Sequence, residues 1–468
     1  MELDIPPFLE SFLGKILTLA VEIIPNAKTG SLQIKKKGNL LEYISAIGFP
    51  IEKLQRIHFE FEAQPFIKDF IEKKTNTTIF TTKNLETFHN TGISEEEKEI
   101  LVKYGKITEI KSIMASSLMF MPSEKIIKEN ILGYICLDNY KGEFTQKDAD
   151  KLKIFAEIAS YAITSSKLID ILVIDINNSL QILESAIEVL KPFIQTEGEL
   201  QKVYLLVKTT LTRLETLVRS IRKQVNGLVS GRSSTIFTKY TFPFSMSDFF
   251  EKILKFAIEI IPNTETGSMF IRKEDKLFYI ASYGFNFEKI NTIDFNFSTN
   301  PFIMKMKELN ARTVILEGKD LERLNKCLFD DKQYEILQKD GRVQEMNQII
   351  STNLSIPVAD DSEITKNSFG MFNLETYGRN EFSEEDKKTA TIFGEIASFA
   401  FYTAILTDIF CHDVGNDIQV ISSGFNILYN GINDKKVREM TNLAKKSIEN
   451  VVCLVKNVQE RVQTYSAD

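Results

Sequence analysis

Hydrophobic residues along the chain follow two spacings. A helical spacing runs over Phe12–Ile24 and again over Phe249–Ile261, and the dipeptide Pro-Asn directly follows each run. Alternating segments come next and predict strands of an antiparallel sheet with one covered face. These segments are Gly30–Ile34, Leu40–Ala46, a stretch near Met114–Pro122 and Leu132–Asp138 in the first half, and Gly267–Ile271, Leu277–Ser282, Ser351–Val358 and Gly370–Glu375 in the second.

The two halves carry the same elements because the chain contains an internal duplication. Residues 15–34 read KILTLAVEIIPNAKTGSLQI, and residues 252–271 read KILKFAIEIIPNTETGSMFI. The match resumes between residues 131–162 and 368–400, and the offset stays near 237 residues. We call the halves copy one and copy two. A period this long excludes a solenoid repeat and predicts two copies of one domain.

A long helix is predicted after the last strand of each copy. Thr145 and Ser383 are suitable N-caps, with acidic residues in the turn that follows. The segments 66–108 and 302–345 mix short helical and loop patterns and differ most between the copies. We call them the variable segments.

Short motifs occur in the same order in both copies. Copy one has Thr-Gly-Ser at 29–31, Gly-Tyr-Ile-Cys-Leu at 133–137, Phe144 and Asp148, and copy two has counterparts at 266–268, 370–374, Phe382 and Asp386. On these residues each copy resembles a GAF domain. The resemblance implies an α+β fold, with an antiparallel sheet and flanking helices, that binds small molecules or dimerises. It also implies an enclosed, largely apolar pocket between the sheet and the variable segment in one or both copies.

Beyond each predicted sheet, apolar residues step by three and four along a helix, as in a heptad seam. The seam residues are Val173, Ile176, Leu180, Leu183, Ile187 and Leu190 in copy one, and Cys411, Val414, Ile418, Ile421, Phe425 and Leu428 in copy two. Breaks at Lys191-Pro192 and Asn430-Gly431 precede a second helix with similar spacing. We therefore expect an antiparallel helical hairpin after each sheet, and a four-helix bundle formed by the two hairpins.

These patterns divide the chain into five segments. We expect a GAF-like domain at 1–165, a hairpin at 166–228, a linker at 229–247, a second GAF-like domain at 248–403 and a second hairpin at 404–468. The linker holds Gly, Ser and Pro without a period. The expected assembly is a monomer with a pseudo-dimeric bundle, or a homodimer.

The residues that can carry chemistry lie on the first helix of the second hairpin. His412, Asp413 and Asn416 belong to the sequence HDVGN, which resembles the phosphoacceptor motif of sensor histidine kinases. The resemblance implies that His412 is the catalytic nucleophile, that Asp413 orients its ring, and that Asn416 positions a phosphoryl group or a water. Gly415 stands where a basic residue is usual in that motif, and Asp417 where proline is common.

Copy one has Ile174 at the histidine position, although it keeps Asp175 and Asn178. Copy one therefore cannot accept phosphate there, and we expect this half of the chain to have a structural role. The sequence holds no glycine-rich nucleotide-binding motif. We expect no ATP-binding domain, so phosphotransfer needs a response-regulator receiver or a separate kinase ATPase module.

Composition narrows the function classes. The net charge of −7 argues against a nucleic-acid partner or an anionic membrane surface. No apolar run approaches the ~20 residues of a membrane-spanning helix. Four scattered cysteines without a CxxC pair predict no disulfide framework, no metal site and a cytoplasmic location. His58 and His89 read as solvated loop residues.

Two functions remain open. The first is signal transduction, in which the GAF domains sense a small molecule and a histidine-kinase-like bundle relays it by phosphotransfer at His412. The alternative is a non-enzymatic GAF module for ligand binding and assembly, without phosphotransfer. A third function, a pocket enzyme such as a free methionine sulfoxide reductase, needs clustered cysteines that the sequence lacks. The ligand or cofactor stays unknown, and whether the protein is an enzyme stays open, with a non-enzyme favoured.

Overall fold

The computed structural model describes residues 5–81, 94–120, 126–194, 198–225, 247–293, 295–355, 368–431 and 434–464. Within these ranges the chain forms two six-stranded antiparallel sheets with helices packed beside them. The predicted α+β class is therefore confirmed. No helix in these ranges is both long and apolar enough to cross a bilayer.

The helices fall into two groups, one for each copy. In copy one they are α1 (Pro7–Ile23), α2 (Ile51–Leu54), α3 (Pro65–Lys73), α4 (Glu95–Tyr104), α5 (Gln146–Leu190) and α6 (Glu199–Val225). In copy two they are α7 (Ser247–Ile260), α8 (Phe287–Ile290), α9 (Pro301–Leu309), α10 (Gly318–Leu328), α11 (Asp331–Lys339), α12 (Glu384–Gly431) and α13 (Lys435–Thr464).

The two sheets have the same strand order. The strands of copy one are β1 (Thr29–Lys35), β2 (Leu40–Ile47), β3 (Phe59–Glu60), β4 (Thr77–Thr81), β5 (Ser112–Met119) and β6 (Ile131–Asn139). Those of copy two are β7 (Thr266–Lys273), β8 (Lys276–Tyr283), β9 (Phe295–Asn296), β10 (Thr313–Glu317), β11 (Met346–Ser355) and β12 (Ser368–Tyr377). Copy one is ordered β3-β2-β1-β6-β5-β4, and copy two repeats this as β9-β8-β7-β12-β11-β10.

Each sheet has two more strands than the hydrophobic pattern predicted. The five-residue strands β4 and β10 pair with β5 and β11 inside the variable segments. The two-residue strands β3 and β9 form the opposite edge. Segments this short give too few alternations to stand out from a loop. The parts of two predicted strands beyond residues 120 and 355 lie outside the described residues.

The middle of each sheet is covered on both faces, and every residue of β6 and β12 is buried. One face packs against the long helices in a cluster that both copies share. The other face carries a separate apolar cluster in each copy, which includes Tyr134 in copy one and Met371 in copy two. The variable segments cover this second face, which we call the pocket face.

The long helices begin where the sequence predicted. The Thr145 Oγ1 accepts a hydrogen bond from the Asp148 backbone N–H at 3.3 Å, and the Asp148 carboxylate accepts one from the Thr145 N–H at 2.8 Å. Ser383 and Asp386 repeat this arrangement at 3.1 and 2.7 Å. The reciprocal bonds satisfy amide groups that lack partners at a helix start. Both N-cap predictions are confirmed.

The four long helices pack across the duplication. Helix α5 contacts α6 and α12 contacts α13, while α5 also contacts α13 and α6 contacts α12. All twelve seam residues named above are buried. The second helices bury Leu211, Leu214, Val218, Ile221, Ile448, Val451, Val455 and Val458. The two copies therefore share one hydrophobic core.

Helices α5 and α12 are 45 and 48 residues long. Each runs without a break through the residues where a boundary between GAF-like domain and hairpin is expected, near 165 and 403. Of the expected linker 229–247, only Ser247 lies within the described residues, and it begins α7.

Candidate functional site

His412 lies on the outer side of α12. Its neighbour Cys411 belongs to the seam and is buried, whereas the His412 side chain is 65% exposed. Successive residues of an α-helix are turned by about 100°. His412 therefore sits on the flank of the packed helices, where another protein can reach its ring.

Two polar side chains contact the ring. His412 Nδ1 lies 3.1 Å from Asp413 Oδ1. Asn416 Nδ2 lies 3.4 Å from Nδ1 and 3.5 Å from Nε2, because residues four apart are neighbours on a helix. In the tautomer with the proton on Nδ1, that N–H donates to Asp413 and Nε2 keeps its lone pair. The arrangement can present Nε2 as a nucleophile.

Asp417 departs from the histidine-kinase motif and has a structural role. Its carboxylate is 4% exposed and faces α6. Arg213 of α6 donates two hydrogen bonds to it, from Nε to Oδ2 at 3.1 Å and from Nη2 to Oδ1. A two-point pair of this kind fixes orientation as well as charge. It joins copy one to the helix turn that follows His412.

Gly415 has no packing reason to be glycine. A Cβ atom added there would meet nothing within 4 Å. The residue therefore leaves a small bare surface beside His412 and Asn416.

The aligned surface of copy one is chemically different. Ile174 replaces His412 and is 58% exposed, while Asp175 and Asn178 are also exposed. Ser179 and Asn450 stand at the positions that correspond to Asp417 and Arg213, and they cannot form an ion pair. The ion pair and the histidine therefore belong to one side of the helical core.

Each copy has a cavity between its pocket face and its variable segment. The cavity of copy one has a volume of about 220 Å³, and that of copy two about 90 Å³. Most side chains around both cavities are apolar. Each copy therefore has a largely apolar cavity at the expected place, although both cavities are partly open to solvent.

A buried carboxyl group lines each cavity at aligned positions. It is Asp138 at the end of β6 in copy one, and Glu375 near the end of β12 in copy two. Thr29 donates a hydrogen bond to Asp138 at 2.8 Å, and Thr266 donates one to Glu375 at 2.9 Å. The same arrangement thus occurs twice.

Burial sets the protonation of these groups. It raises the pKa of Asp138 to about 7 and the pKa of Glu375 to about 8, because the charged form loses its hydration, while the threonine hydrogen bonds lower both in part. Near pH 7 the Glu375 carboxyl is mainly protonated. The Asp138 carboxyl is then close to its midpoint.

Asp138 and Glu375 are not among the residues that the sequence patterns mark as functional. The signal was an acidic residue inside an apolar strand at the same place in both copies, in LDNY and LETY. Cys136 also lines the cavity of copy one, and burial raises the pKa of this thiol.

His58 does not line the cavity of copy one. His58 is exposed, and its backbone N–H donates to the Glu97 carboxylate at 3.0 Å. His89 lies outside the described residues. Within the described ranges, no three His, Cys, Asp or Glu side chains are grouped to hold a metal ion.

No family model matches the chain, and no curated protein matches it. Among solved structures, the GAF domain/HD domain protein from Geobacter sulfurreducens is 8% identical, with 34% of this chain and 92% of that one covered and a TM-score of 0.25. The blue-light absorbing form of the Thermosynechococcus elongatus PixJ GAF domain is 11% identical, with 34% and 85% covered and a TM-score of 0.24. The GAF domain from Acinetobacter phosphoenolpyruvate-protein phosphotransferase is 13% identical, with 41% and 94% covered and a TM-score of 0.26. The α+β fold of this chain is that of the two six-stranded sheets described above.

Proposed function

We propose that the protein is a signalling module in which two GAF-like sensor units control a histidine-kinase-like four-helix bundle. Its output is phosphotransfer at His412, with a response-regulator receiver or a separate kinase ATPase module as partner. The observation that carries this proposal is the continuity of α12, which begins beside the sheet of copy two and leads to the exposed His412.

The continuous helix supports a mechanical link between cavity and histidine. From Glu384 to His412 the helix rises about 42 Å, at ~1.5 Å per residue. A change at the sheet that rotates or shifts the start of α12 moves its far end too, because no break absorbs the motion. Helix shifts at packed interfaces are a common form of switching.

The packing of α5, α6, α12 and α13 supports the bundle. Histidine-kinase-like hairpins form such a bundle as a dimer, with one hairpin from each of two chains. Here the duplication supplies both from one chain, so we propose a monomer with pseudo-twofold symmetry. It carries a single acceptor, because Ile174 occupies the other position.

The chemistry proposed for His412 follows from the contacts of its ring. Nε2 attacks the phosphorus of a receiver's aspartyl phosphate, and the bond from phosphorus to the aspartyl oxygen breaks with its electron pair leaving on the carboxylate. Asp413 accepts the Nδ1 hydrogen bond and balances the charge that develops on the ring. Asn416 lies close enough to donate to a phosphoryl oxygen.

Labelling with phosphate tests the proposal. The protein is incubated with a phosphorylated receiver, and separately with ATP and an isolated histidine-kinase ATPase domain. We expect acid-labile, base-stable phosphate on the wild type and on the control variant His58→Gln, and none on His412→Gln. Equal labelling of His412→Gln and wild type would contradict phosphotransfer at His412.

The second candidate is a ligand-binding and assembly module without phosphotransfer. The observation that favours it is the exposed Ile174, since the protein already tolerates an apolar residue at one of the two equivalent positions. In that case His412→Gln would leave partner binding and its response to ligand unchanged.

A further inference from the structure

The cavity of copy two is lined by aromatic rings. They belong to Phe270, Tyr279, Phe285, Phe295, Phe302 and Phe329. Several pack edge to face around the cavity, such as Phe270 and Phe295 with centroids 5.5 Å apart. The faces of aromatic rings attract cations, most strongly where water is excluded.

Two oxygen acceptors lie on one side of this aromatic cavity. Asn373 and Glu375 are two residues apart on β12, so both point to the pocket face. Asn373 is 5% exposed, and among the described residues its Oδ1 has no hydrogen-bond partner. A buried carbonyl oxygen without a donor is unfavourable. A bound molecule with N–H groups would supply that donor.

No basic side chain among the described lining residues neutralises Glu375. Among the described residues that line the cavity, Glu375 is the one carboxylic acid, and none is Lys, Arg or His. From β7, Thr266 and Ser268 hydrogen-bond its carboxyl group. The titratable groups that face it are Tyr279 from β8 and Tyr377 on its own strand, and burial raises the pKa of both phenols.

Two charged groups act on the Tyr377 phenol. Arg342 stacks over that ring at 4.0 Å from its centroid, and Glu265 also acts on the phenol. Neither lines the cavity. The charge on an ionised Glu375 therefore has no cationic partner inside the cavity.

We infer that the cavity of copy two binds a small organic ammonium ion. The N–H groups of the ligand donate to Asn373 Oδ1 and to the Glu375 carboxylate, and its carbon body lies against the aromatic rings. The inference rests on the proposed function, because it names the ligand class for one of the two sensor units.

The cavity of copy one is not built for the same ligand. Cys136 stands at the position of Asn373 and offers no strong acceptor. Gln33 replaces Phe270, and its Oε1 already accepts a hydrogen bond from the Tyr134 hydroxyl at 2.8 Å. Lys98 also lines this cavity, with its Nζ paired to the Glu95 carboxylate at 2.6 Å. These differences would disfavour an ammonium ion.

Calorimetry on the full chain tests the inference with three probes of one shape. These are phenethylammonium, the neutral 2-phenylethanol and the anionic 3-phenylpropionate. At pH 8 we expect phenethylammonium to bind at least tenfold more tightly than the alcohol, and the carboxylate not to bind. Binding of the alcohol as tightly as the ammonium ion would overturn the inference without any variant.

Paired variants locate the site. Glu375→Gln keeps the size of the side chain but cannot ionise, and we expect it to weaken phenethylammonium binding at least tenfold. The matched variant Asp138→Asn in copy one should change it less than twofold. An equal loss in both variants, or none in Glu375→Gln, would place the ammonium elsewhere and refute the site.

Proton release gives a second readout. The carboxyl is mainly protonated before binding at pH 7 and must ionise to hold a cation, so binding should release up to one proton. Affinity should then rise between pH 6 and pH 8, by at most tenfold per unit. Titrations in buffers of different ionisation enthalpy measure the release, and binding without release would contradict the role of Glu375.

The experiments distinguish a wrong ligand class from a wrong proposal of phosphotransfer at His412. If phenethylammonium binds as described but leaves His412 labelling unchanged, the ligand class stands and the proposed relay is wrong. If His412→Gln abolishes labelling while phenethylammonium and the alcohol bind alike, the relay stands and the ligand class is wrong.

Discussion

Copy one and copy two share a sheet topology and a hydrophobic core, yet they differ at both candidate sites. On the helices, Ile174 of copy one occupies the position of His412 in copy two, and both side chains are exposed. In the cavities, Cys136 and Asp138 of copy one occupy the positions of Asn373 and Glu375 in copy two. The seam residues, in contrast, are apolar in both copies, because each buries the other. The two copies thus differ at positions whose side chains do not pack in the shared core, and they stay alike at positions whose side chains do.

The largest effect is expected from the shared core. Phe425→Ala empties a fully buried seam position of copy two and should cost about 3–5 kcal/mol of unfolding free energy. Both copies should still unfold in one transition, followed by denaturant titration. Ile427→Ala, at a position 50% exposed on the same helix, should stay within about 0.5 kcal/mol. Two separate transitions, with only one shifted by Phe425→Ala, would show that the copies are independent.

The next effect concerns the ion pair that only one side of the core possesses. Arg213→Met leaves the Asp417 carboxylate buried without its partner. Because Arg213 itself is 68% exposed, we expect a loss of about 1–3 kcal/mol rather than that of a fully buried pair. The matched change Asn450→Met, at the corresponding exposed position, should be nearly neutral. Equal losses would mean that the pair contributes nothing specific.

These two predictions rest on contacts that differ in how far the sequence reveals them. The steps of three and four mark seam residues such as Phe425 because helical spacing alone puts them on one face. The same local rule brings Asn416 to His412. The pair between Arg213 and Asp417 spans 204 residues. It depends on which helices meet, and local spacing does not contain that information.

The cavities show the same limit. Residue spacing places Asn373 and Glu375 on one face of a strand, but their chemistry depends on what covers that face. The strands β4 and β10 were missed for a related reason, since pairing with β5 and β11 stabilises them more than their own five residues do. The duplication could have helped, because an acidic residue that recurs in LDNY and LETY is a signal that single-segment patterns hide.

The two buried carboxyl groups should separate the copies by pH. Each has a folded-state pKa above its unfolded value, so the folded protein holds a proton that the unfolded chain has lost. The unfolding free energy should therefore fall as pH rises, by up to ~1.4 kcal/mol per unit for each group. Asp138 contributes up to a pH of about 7, and Glu375 up to about 8.

Variants of the two carboxyl groups show which group causes the pH dependence of the unfolding free energy. Between pH 7 and pH 8, Glu375→Gln should flatten the dependence of stability on pH, whereas Asp138→Asn should act mainly below pH 7. Denaturant titrations at half-unit pH steps measure both slopes. A stability that rises with pH over this range, and does so unchanged in Glu375→Gln, would contradict the raised pKa.

The smallest effect compares Gly415 with its counterpart Asn177. Gly415→Ala should stabilise the protein by about 0.5–1 kcal/mol, because alanine favours the helix and its Cβ meets no neighbour within 4 Å. Asn177→Ala should gain less, since asparagine is a better helix former than glycine. Thermal melts of the two variants are sufficient, and a loss of stability in Gly415→Ala would mean that the helix needs glycine there.

The helix contacts between the copies also bear on how such a gene can change. Helix α6 of copy one covers α12 of copy two, and α13 returns to cover α5. Deleting either half would expose the seam of the other, so selection for a folded product retains both. Exposed positions of the retained half that lie off the seam, such as residue 174, are nevertheless free to change. Copy one can therefore keep its contribution to the shared core while an exposed isoleucine occupies the position of His412.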